Sequence, residues 1–311
     1  MIKILIIKLG YSETLDSEVS KIVSLGDVLR TTPILEALKE KYPKSKIIFL
    51  TDAKAKELIE DNPYIDKLLL WDEFISFLLL REKFDFVINL EKHPGICALA
   101  DMIDAWQKFG FRLGNDFEIS EYEDKVSFID YINNKQIKKD YWQKVLIEHL
   151  GIEWKGQKYS LGHKPKSKEI FDIGLNYQVG SKWPTKAMSK YKWEQLYNKL
   201  ESLGYKVDWQ RGLNSLKEYI DWINSSRIII TQDSLGLHLA MALDKKVIGL
   251  FGATGYEEIY PYGKTKFLTP NVKCDYLPCY KPQCKNSEFC MDMFDIKEII
   301  KNIKEIDEIK S

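Results

Sequence analysis

The most constraining feature of the chain is the segment 227–252, which reads as a strand, a tight turn, a helix and a second strand. The run Ile-Ile-Ile-Thr at 228–231 is typical of a strand that is buried on both faces of a parallel sheet. Asp233 and Ser234 then favour the start of a helix, and an apolar strand follows at 247–251. A helix that follows a parallel strand points its free N–H groups into a crevice, so this unit predicts an anion-binding site.

Strand-like and helix-like segments alternate along the rest of the chain with short connections, which favours parallel sheets covered by helices on both faces. A polar stretch at 155–168 contains glycines and a proline and is typical of a linker. A chain of 311 residues is long enough for two domains with separate cores. We therefore predict a first domain at 1–160, a second at 161–295, and a helix at 296–311 that could pack back on the first domain.

The charge balance excludes some partners. The chain has 46 Lys and Arg residues and 46 Asp and Glu residues, so no overall positive field favours nucleic acid. No apolar run approaches the roughly 20 residues that span a bilayer. The opening nine residues are too short for a signal peptide. We expect a cytoplasmic protein whose membrane contact, if it has one, is peripheral and at the inner face of the inner membrane.

Two further motifs follow predicted strands. The sequence LGDVLRTTP at 25–33 comes after the first strand, and Asp27 reads most simply as an acid that caps a helix. The sequence NYQVGSKWP at 176–184 follows the first strand of the second domain, and Lys186 lies just beyond it. Lys182 and Lys186 are either solvated loop lysines or cations that face a negatively charged ligand.

In their order along the chain, these motifs closely resemble glycosyltransferase family 9, the heptosyltransferase-like enzymes. The resemblance covers nearly the whole chain and includes the Gly-Asp-Val-Leu motif, the Lys-Trp-Pro loop, the Asp-Ser-x-Gly-x-His helix, the Leu-Phe-Gly turn and a cysteine-rich tail. It implies an α/β protein of the GT-B class, with two Rossmann-like αβα domains whose parallel sheets face each other across a cleft. It also implies inverting transfer of a heptose or related sugar from a nucleotide-sugar donor, with ADP-heptose as the first choice, to a lipopolysaccharide core or other cell-surface glycan.

The resemblance further implies roles for individual residues. Asp27 would be the general base that takes the proton from the acceptor hydroxyl. Lys182, with Lys186 in reserve, would stabilise negative charge on the departing diphosphate without a metal ion. The other donor contacts would come from the turn and helix of the central unit and from the turn after its last strand, namely Asp233, Ser234, Leu235, Gly236, His238 and Thr254. Two simpler interpretations stay open, because His238 could be a buried helix histidine bonded to backbone and Thr254 a helix cap.

The chain departs from the family pattern in three places. Residues 11–24 are inserted between the first strand and the Gly-Asp pair, and they are either a lid, an acceptor contact or a tolerated surface loop. Leu235 occupies the position where the family usually has glycine, and Gly236 comes one residue later. The segment 210–215 is shorter than in relatives, which leaves the base of the nucleotide unspecified.

Four of the five cysteines lie close together near the end of the chain, at Cys274, Cys279, Cys284 and Cys290. Four thiolates can hold a structural zinc or iron ion, although this spacing is looser than that of paired Cys-x-x-Cys motifs. The alternative is a set of reduced structural thiols, since disulfides are rare in the cytosol. No Asp-x-Asp sequence occurs, so catalysis is expected to need no cofactor.

Two alternative functions remain at this point. The same fold could transfer a heptose to the hydroxyl side chains of a protein acceptor. A protein of another class, a non-catalytic nucleotide-sugar-binding module, would bind the donor without transferring it. All three hypotheses require a nucleotide-sugar partner, and the two enzyme hypotheses differ only in whether the acceptor is a glycolipid, another glycan or a protein.

Overall fold

The computed structural model describes residues 1–11, 22–122, 127–133, 140–180, 183–210, 212, 214–284, 286 and 289–308. The chain divides into two compact units. The first comprises Met1–His163 and Glu257–Tyr260, and the second comprises Lys164–Tyr256 and Pro261–Ser311. The described residues contain no helix that is both long and apolar enough to cross a bilayer.

Each unit is built around one sheet. The strands are β1 (Lys3–Ile7), β2 (Lys46–Thr51), β3 (Lys67–Leu70), β4 (Lys83–Asn89), β5 (Asp104–Leu113), β6 (Ile119–Glu121), β7 (Phe171–Asn176), β8 (Val207–Trp209), β9 (Ser226–Gln232), β10 (Lys246–Leu250) and β11 (Thr265–Leu268). The helices are α1 (Leu25–Arg30), α2 (Pro33–Lys41), α3 (Lys56–Ile59), α4 (Ile75–Leu79), α5 (Pro94–Met102), α6 (Phe128–Asn133), α7 (Trp142–His149), α8 (Lys190–Ser202), α9 (Leu216–Asn224), α10 (Leu235–Ala242) and α11 (Ile296–Asp307).

The first unit has a six-stranded sheet in the order β3-β2-β1-β4-β5-β6. Neighbouring strands from β3 to β5 are parallel, as predicted, whereas β6 returns antiparallel to β5. The central strand β1 is apolar and its last four residues are buried, because helices cover both faces of a parallel sheet. Its carboxyl end is therefore a fixed edge from which the next loop leaves.

Two helices, rather than one continuous helix, follow the first strand. Pro33 occupies the first position of α2 rather than the interior of one helix, because a proline there loses no internal hydrogen bond. Helix α1 is consequently only six residues long, and its N-cap is Ser24. Asp27 lies in the first turn of α1 and is not the capping residue, contrary to the simplest interpretation of the motif.

The second unit has five strands in the order β11-β10-β9-β7-β8, all of them parallel. Strands β7, β9 and β10 form its buried centre, and the predicted β9–α10–β10 unit is present. Consecutive crossovers bring the carboxyl ends of β7 and β9 side by side, with Asn176 paired in register with Thr231. The loops that follow these two strands therefore start from adjacent points.

The C-terminal helix, which the sequence suggested could pack on the first domain, contributes to the core of the second unit. Helix α11 belongs to the second unit, and four isoleucines at helical spacing pack into that unit's core. Helix α11 contacts β10, β11 and α8, because its apolar stripe packs on one face of this sheet. The four residues are Ile299, Ile300, Ile303 and Ile306.

Candidate functional site

In the first unit, Asp27 lies on the exposed side of α1. Half of its side chain is accessible, and its Oδ1 lies 3.7 Å from a guanidinium nitrogen of Arg30, one helical turn away. The same guanidinium donates a 2.9 Å hydrogen bond to Glu258, in the short segment that joins the first unit from far along the chain. Asp27 is thus a half-exposed carboxylate beside a guanidinium, and its exposure leaves it accessible to an incoming hydroxyl.

The loop that leaves β1 is held by a buried carboxylate that the sequence interpretation did not identify. Glu91 follows β4 and is fully buried. Its Oε1 accepts hydrogen bonds from the backbone N–H groups of Leu9 and Gly10, and its Oε2 accepts one from Tyr11. Lys8 supplies a positive charge 3.0 Å from Oε1. The sequence feature that could have identified Glu91 is a single acidic residue directly after an apolar strand, because a charge buried there needs partners.

Beside this loop, the hydroxyl of Tyr11 donates a 2.8 Å hydrogen bond to Asp52, at the end of β2. Burial, together with the Asp52 carboxylate, raises the pKa of the Tyr11 hydroxyl above its usual value. The inserted segment that begins here was predicted at 11–24, and its residues 12–21 lie outside the described part of the chain. The insertion therefore starts at the carboxyl edge of the first sheet, and Asp27 follows shortly after the insertion ends.

In the second unit, the start of α10 carries a compact charged cluster. The ammonium group of Lys186 lies 2.6 Å from Asp233 Oδ2, and Thr254 donates a 2.7 Å hydrogen bond to the same oxygen. Burial alone would raise the pKa of the Asp233 carboxyl. The charges of Lys186 and His238 and the hydrogen bonds from Lys186 and Thr254 outweigh that effect and lower the pKa below its usual value. The cluster thus presents a fixed cation beside a helix N-terminus, which suits an anionic ligand.

Lys182, the lysine that matches the family motif, lies outside the described residues. The structure instead brings Lys186, the reserve candidate, to Asp233. Gln232 at the end of β9 donates a 3.1 Å hydrogen bond to the carbonyl oxygen of Lys186, which fixes the loop against the strand. The Lys186 ammonium also lies 5.6 Å from the centre of the Trp183 ring. These contacts restrict the position of the Lys186 side chain at the start of α10.

The hydroxyl of Ser234 is positioned by a polar network rather than by its own helix. Ser234 is the N-cap of α10 but makes no side-chain capping bond. Its Oγ accepts a 3.0 Å hydrogen bond from the amide of Asn176, which also donates to Thr231 and accepts from the hydroxyl of Tyr219. Gly236 lies against this network, because a Cβ at that position would collide with Asn176 and Tyr219. Gly236 is therefore required for packing at the helix start.

The remaining predicted donor residues fall at the same helix start. Leu235 is the first residue of α10, and His238 lies one turn further on with only 3% of its surface exposed. Five of the predicted donor residues are thus on consecutive or nearly consecutive positions around one helix N-terminus, with Thr254 and Lys186 reaching them from other loops. Those five are Asp233, Ser234, Leu235, Gly236 and His238.

An aromatic cavity of about 370 Å³ lies at the carboxyl ends of β7 and β8. Tyr177, directly after Asn176, packs edge-to-face on Trp209, and the ring of Tyr197 in α8 lies 5.4 Å from the same indole, centre to centre. Gln210, which also lines the cavity, is 8% exposed, and its Oε1 has no hydrogen-bond partner among the described residues. Lys190 and Glu194 add charged side chains to the lining, and the aromatic rings and the amide group suit a planar heterocycle.

The four clustered cysteines, Cys274, Cys279, Cys284 and Cys290, line one cavity of about 620 Å³, and none forms a disulfide. Burial raises the pKa of the Cys290 thiol to about 11, and the other three thiols add to this rise. Across the described part of the chain, however, no three His, Cys, Asp or Glu side chains are grouped closely enough to hold a metal ion. The thiols as placed do not form a coordination site.

Cys97 is separate from this group. It is fully buried in α5, and its thiol donates to the carbonyl oxygen of Glu91. Burial raises the pKa of the Cys97 thiol to about 12, so it stays protonated and acts as a small apolar residue.

Comparison with known proteins finds similarity to one family. The model of glycosyltransferase family 9 (heptosyltransferase) matches residues 212–289, which include α9, β9, α10 and β10. Lipopolysaccharide heptosyltransferase 1 of Campylobacter coli is 22% identical, over 92% of this chain and 97% of its own length.

Two solved structures share the fold. Escherichia coli heptosyltransferase WaaC, solved with ADP-2-deoxy-2-fluoro heptose, has a TM-score of 0.67 and 13% identity over 98% of this chain and 99% of its own. The iron-containing dodecameric glycosyltransferase TibC of enterotoxigenic E. coli has a TM-score of 0.59 and 14% identity over 98% of this chain and 76% of its own. The two parallel-sheet units thus have the GT-B fold of these enzymes, and residues 212–289 of the second unit match the model of glycosyltransferase family 9.

Proposed function

We propose that the protein is an inverting glycosyltransferase that moves a heptose or a related sugar from ADP-heptose to a lipopolysaccharide core or another cell-surface glycan. The observation that carries this proposal is the cluster of Lys186, Asp233 and Thr254 at the start of α10. It offers a fixed cation, free helix amides and a carboxylate within a few ångströms, which are the groups that a sugar diphosphate needs. WaaC, which shares the fold, was solved with an ADP-sugar.

The proposed reaction uses these groups together with Asp27. The acceptor hydroxyl oxygen attacks the anomeric carbon of the donor, while the bond from that carbon to the diphosphate oxygen breaks. Asp27 takes the proton of the attacking hydroxyl, and the bonding electrons leave with the nucleoside diphosphate. Lys186, Lys182 and the amides of Ser234, Leu235 and Gly236 would stabilise the charge that develops on the diphosphate. The carboxylate of Asp233 would accept hydrogen bonds from the sugar hydroxyls, with His238 and Thr254 beside it.

The aromatic cavity at Tyr177 and Trp209 supports a nucleotide as the activating group. Strands β9, β7 and β8 are consecutive neighbours in the sheet, and adjacent strands lie about 4.8 Å apart. The cavity at the end of β8 is therefore roughly 10 Å from the helix start that follows β9, which is about the span from a diphosphate to its base. We propose that the base stacks in this cavity and that the amide of Gln210 contacts its edge.

Replacement of the proposed general base, Asp27, tests the mechanism. Asp27→Ala should abolish transfer of heptose from ADP-heptose to a heptose-deficient lipopolysaccharide core, while the dissociation constant for ADP stays within about twofold of wild type. The control is Asp104→Asn, which removes another exposed, ion-paired carboxylate of the first unit and should leave transfer unchanged. Wild-type turnover in the Asp27 variant would remove this residue from the mechanism.

The class of acceptor can be tested directly. Labelled donor should be offered in parallel to lipopolysaccharide cores and to surface proteins rich in serine and threonine. If label appears only in the protein fraction, the acceptor is a protein and not a glycan. Donor binding without any transfer would indicate a non-catalytic binding module. We propose that the reaction takes place in the cytoplasm and that a lipid-linked acceptor is met at the inner face of the inner membrane.

We also propose a structural role for the four clustered cysteines, as ligands of one iron or zinc ion. Two observations support the proposal: all four cysteines line one cavity, and TibC, which shares the fold, contains iron. Binding of an ion would require the thiols to move closer together than they are in the structure described above. Metal analysis of protein purified without chelators should find about one ion per chain. Cys284→Ser should lower this value and Cys97→Ser should not, and a metal-free wild type would leave the segment as reduced thiols.

A further inference from the structure

The mechanism above gives no role to Glu91, yet this carboxylate is the most strongly bonded buried charge in the first unit. Its Oε1 lies 2.8 Å and 2.7 Å from the amide nitrogens of Leu9 and Gly10, and its Oε2 lies 3.1 Å from that of Tyr11. Three successive N–H groups thus converge on one carboxylate, which also pairs with the Lys8 ammonium. Hydrogen bonds to a charged group are about twice as strong as neutral ones, so this turn is firmly held.

The backbone turn that Glu91 holds is itself hydrogen-bonded to the start of α1. The carbonyl oxygen of Gly10 accepts a 2.8 Å hydrogen bond from the N–H of Ser24, and the carbonyl oxygen of Ser24 accepts a 3.1 Å bond from the N–H of Asp27. Three consecutive hydrogen bonds therefore link the Glu91 carboxylate with the backbone of Asp27. Gly10 is suited to the central position, because its φ of +86° is left-handed and a Cβ there would lie 2.8 Å from Ser24 oxygen.

Helix α1 has little means of fixing its own start. It has six residues, and isolated helices of this length are unstable in water. Its N-cap, Ser24, makes no side-chain capping bond. The buried side chains of Val28 and Leu29 hold the body of α1, and the bond between Ser24 and Gly10 fixes the backbone at its start, three residues before Asp27.

We propose that Glu91 is a positioning residue for catalysis, which holds Asp27 in place through the Gly10 and Ser24 peptide groups. This inference rests on the proposed role of Asp27 as the base. Glu91 itself is buried and touches neither donor nor acceptor. A displacement of about 1 Å in a catalytic group can cost on the order of 100-fold in rate, so loss of the anchor should be visible in kcat.

The test is Glu91→Gln, which keeps the shape of the side chain but turns one acceptor oxygen into an amide donor that faces a backbone N–H. We expect kcat for transfer from ADP-heptose to a heptose-deficient lipopolysaccharide core to fall about 10-fold to 100-fold. The dissociation constant for ADP should change less than twofold, because the proposed donor site lies in the second unit. The matched control is Glu121→Gln, which removes a carboxylate that accepts the N–H groups of Phe128 and Ile129 at the start of α6. Its kcat should stay within twofold of wild type.

Amide hydrogen exchange gives a readout that does not depend on activity. In Glu91→Gln the amides of Ser24 and Asp27 should exchange at least 10-fold faster than in wild type, and in Glu121→Gln they should not. In an Asp27→Asn background, Glu91→Gln should lower the residual transfer by less than twofold, since both changes act on one group. Should Glu91→Gln fail to fold, Gly10→Ala breaks the next bond of the chain and should give the same loss of kcat.

A Glu91→Gln variant whose kcat lies within twofold of the Glu121→Gln control, or whose Ser24 and Asp27 amides exchange as in wild type, would overturn the proposal. Failure of the proposed function has a different signature. In that case Asp27→Asn would keep wild-type transfer, whereas the faster exchange in Glu91→Gln would still be observed and would mark a purely structural anchor.

Discussion

At the scale of single residues, the charged cluster of Lys186, Asp233 and Thr254 depends on contacts between distant parts of the chain. Asp233 and Thr254 could be proposed from the sequence because they lie in turns after predicted strands. The ion pair of Lys186 with Asp233 could not, since it joins a loop to a helix start 47 positions further along the chain. What fixes it is the bond from Gln232 to the Lys186 carbonyl, and such side-chain pairing leaves no periodic trace in the sequence.

The lowered pKa of Asp233 gives a pH-dependent contribution to stability. Because the folded-state pKa lies below the unfolded value of about 3.9, the stabilisation is present above that pH and is lost as the pH falls through the folded-state pKa. Asp233→Asn should therefore lower the free energy of unfolding at pH 7 by about 2 kcal/mol, the usual value for a charged hydrogen bond. Denaturant unfolding from pH 7 to about pH 3 should show wild type and variant converging, and a constant difference across this range would refute the ion-pair explanation.

Gly236 offers a second test at this scale. A methyl group at that position would collide with the side chains of Asn176 and Tyr219, which hold the Ser234 hydroxyl. Gly236→Ala should lower the free energy of unfolding by about 1–3 kcal/mol, as overpacking does, and should weaken ADP binding. The matched control is Gly95→Ala in the first turn of α5, where a Cβ would only touch the His93 ring at 3.4 Å. Equal stability of the two variants, measured by chemical denaturation, would show that the network tolerates the methyl group.

At the scale of elements, apolar runs predict most strands correctly, because buried parallel strands have no polar face to interrupt the run. The break at Pro33 shows what periodicity misses: the apolar spacing continues through it, but two short helices form instead of one. Strand β6 was also missed, since three half-buried residues that pair antiparallel at a sheet edge have no distinctive composition. Glu91 was overlooked for a related reason, because a single acid after a strand can equally well face solvent.

The amphipathic pattern of α11 predicts a helix but does not say which unit it covers. In the structure its isoleucines complete the core of the second unit. Ile303→Ala should therefore lower the free energy of unfolding of that unit by about 2–5 kcal/mol, from lost burial and the cavity left behind. Lys304→Ala, one position away on the exposed side, should change it by less than about 0.5 kcal/mol. The measurement is denaturant unfolding followed by peptide-resolved hydrogen exchange, and loss of protection in first-unit peptides instead would contradict the assignment of α11.

At the scale of the whole molecule, the sequence predicted two α/β units because strand and helix segments alternate twice and a polar stretch separates the two series. It could not predict that the short segment Glu257–Tyr260 would join the first unit, where the backbone oxygen of Glu258 accepts a hydrogen bond from Trp142. The chain therefore passes between the units more than once. Each unit nevertheless carries its own candidate residues. Asp27 lies in the first unit, and the charged cluster of Lys186, Asp233 and Thr254 lies in the second.

This division predicts where the nucleotide acts. ADP added to the full chain should slow hydrogen exchange in second-unit peptides that contain the loop at 183–189 and the helix start at 233–238, because bound phosphates occupy the free amides and pair with Lys186. First-unit peptides around α5 should exchange as before. GDP and UDP in parallel samples test the base, since a cavity built from Tyr177, Trp209 and Gln210 should distinguish a purine from a pyrimidine by stacking area. Protection confined to the first unit would move the donor site and would leave the charged cluster at Asp233 with a purely structural role.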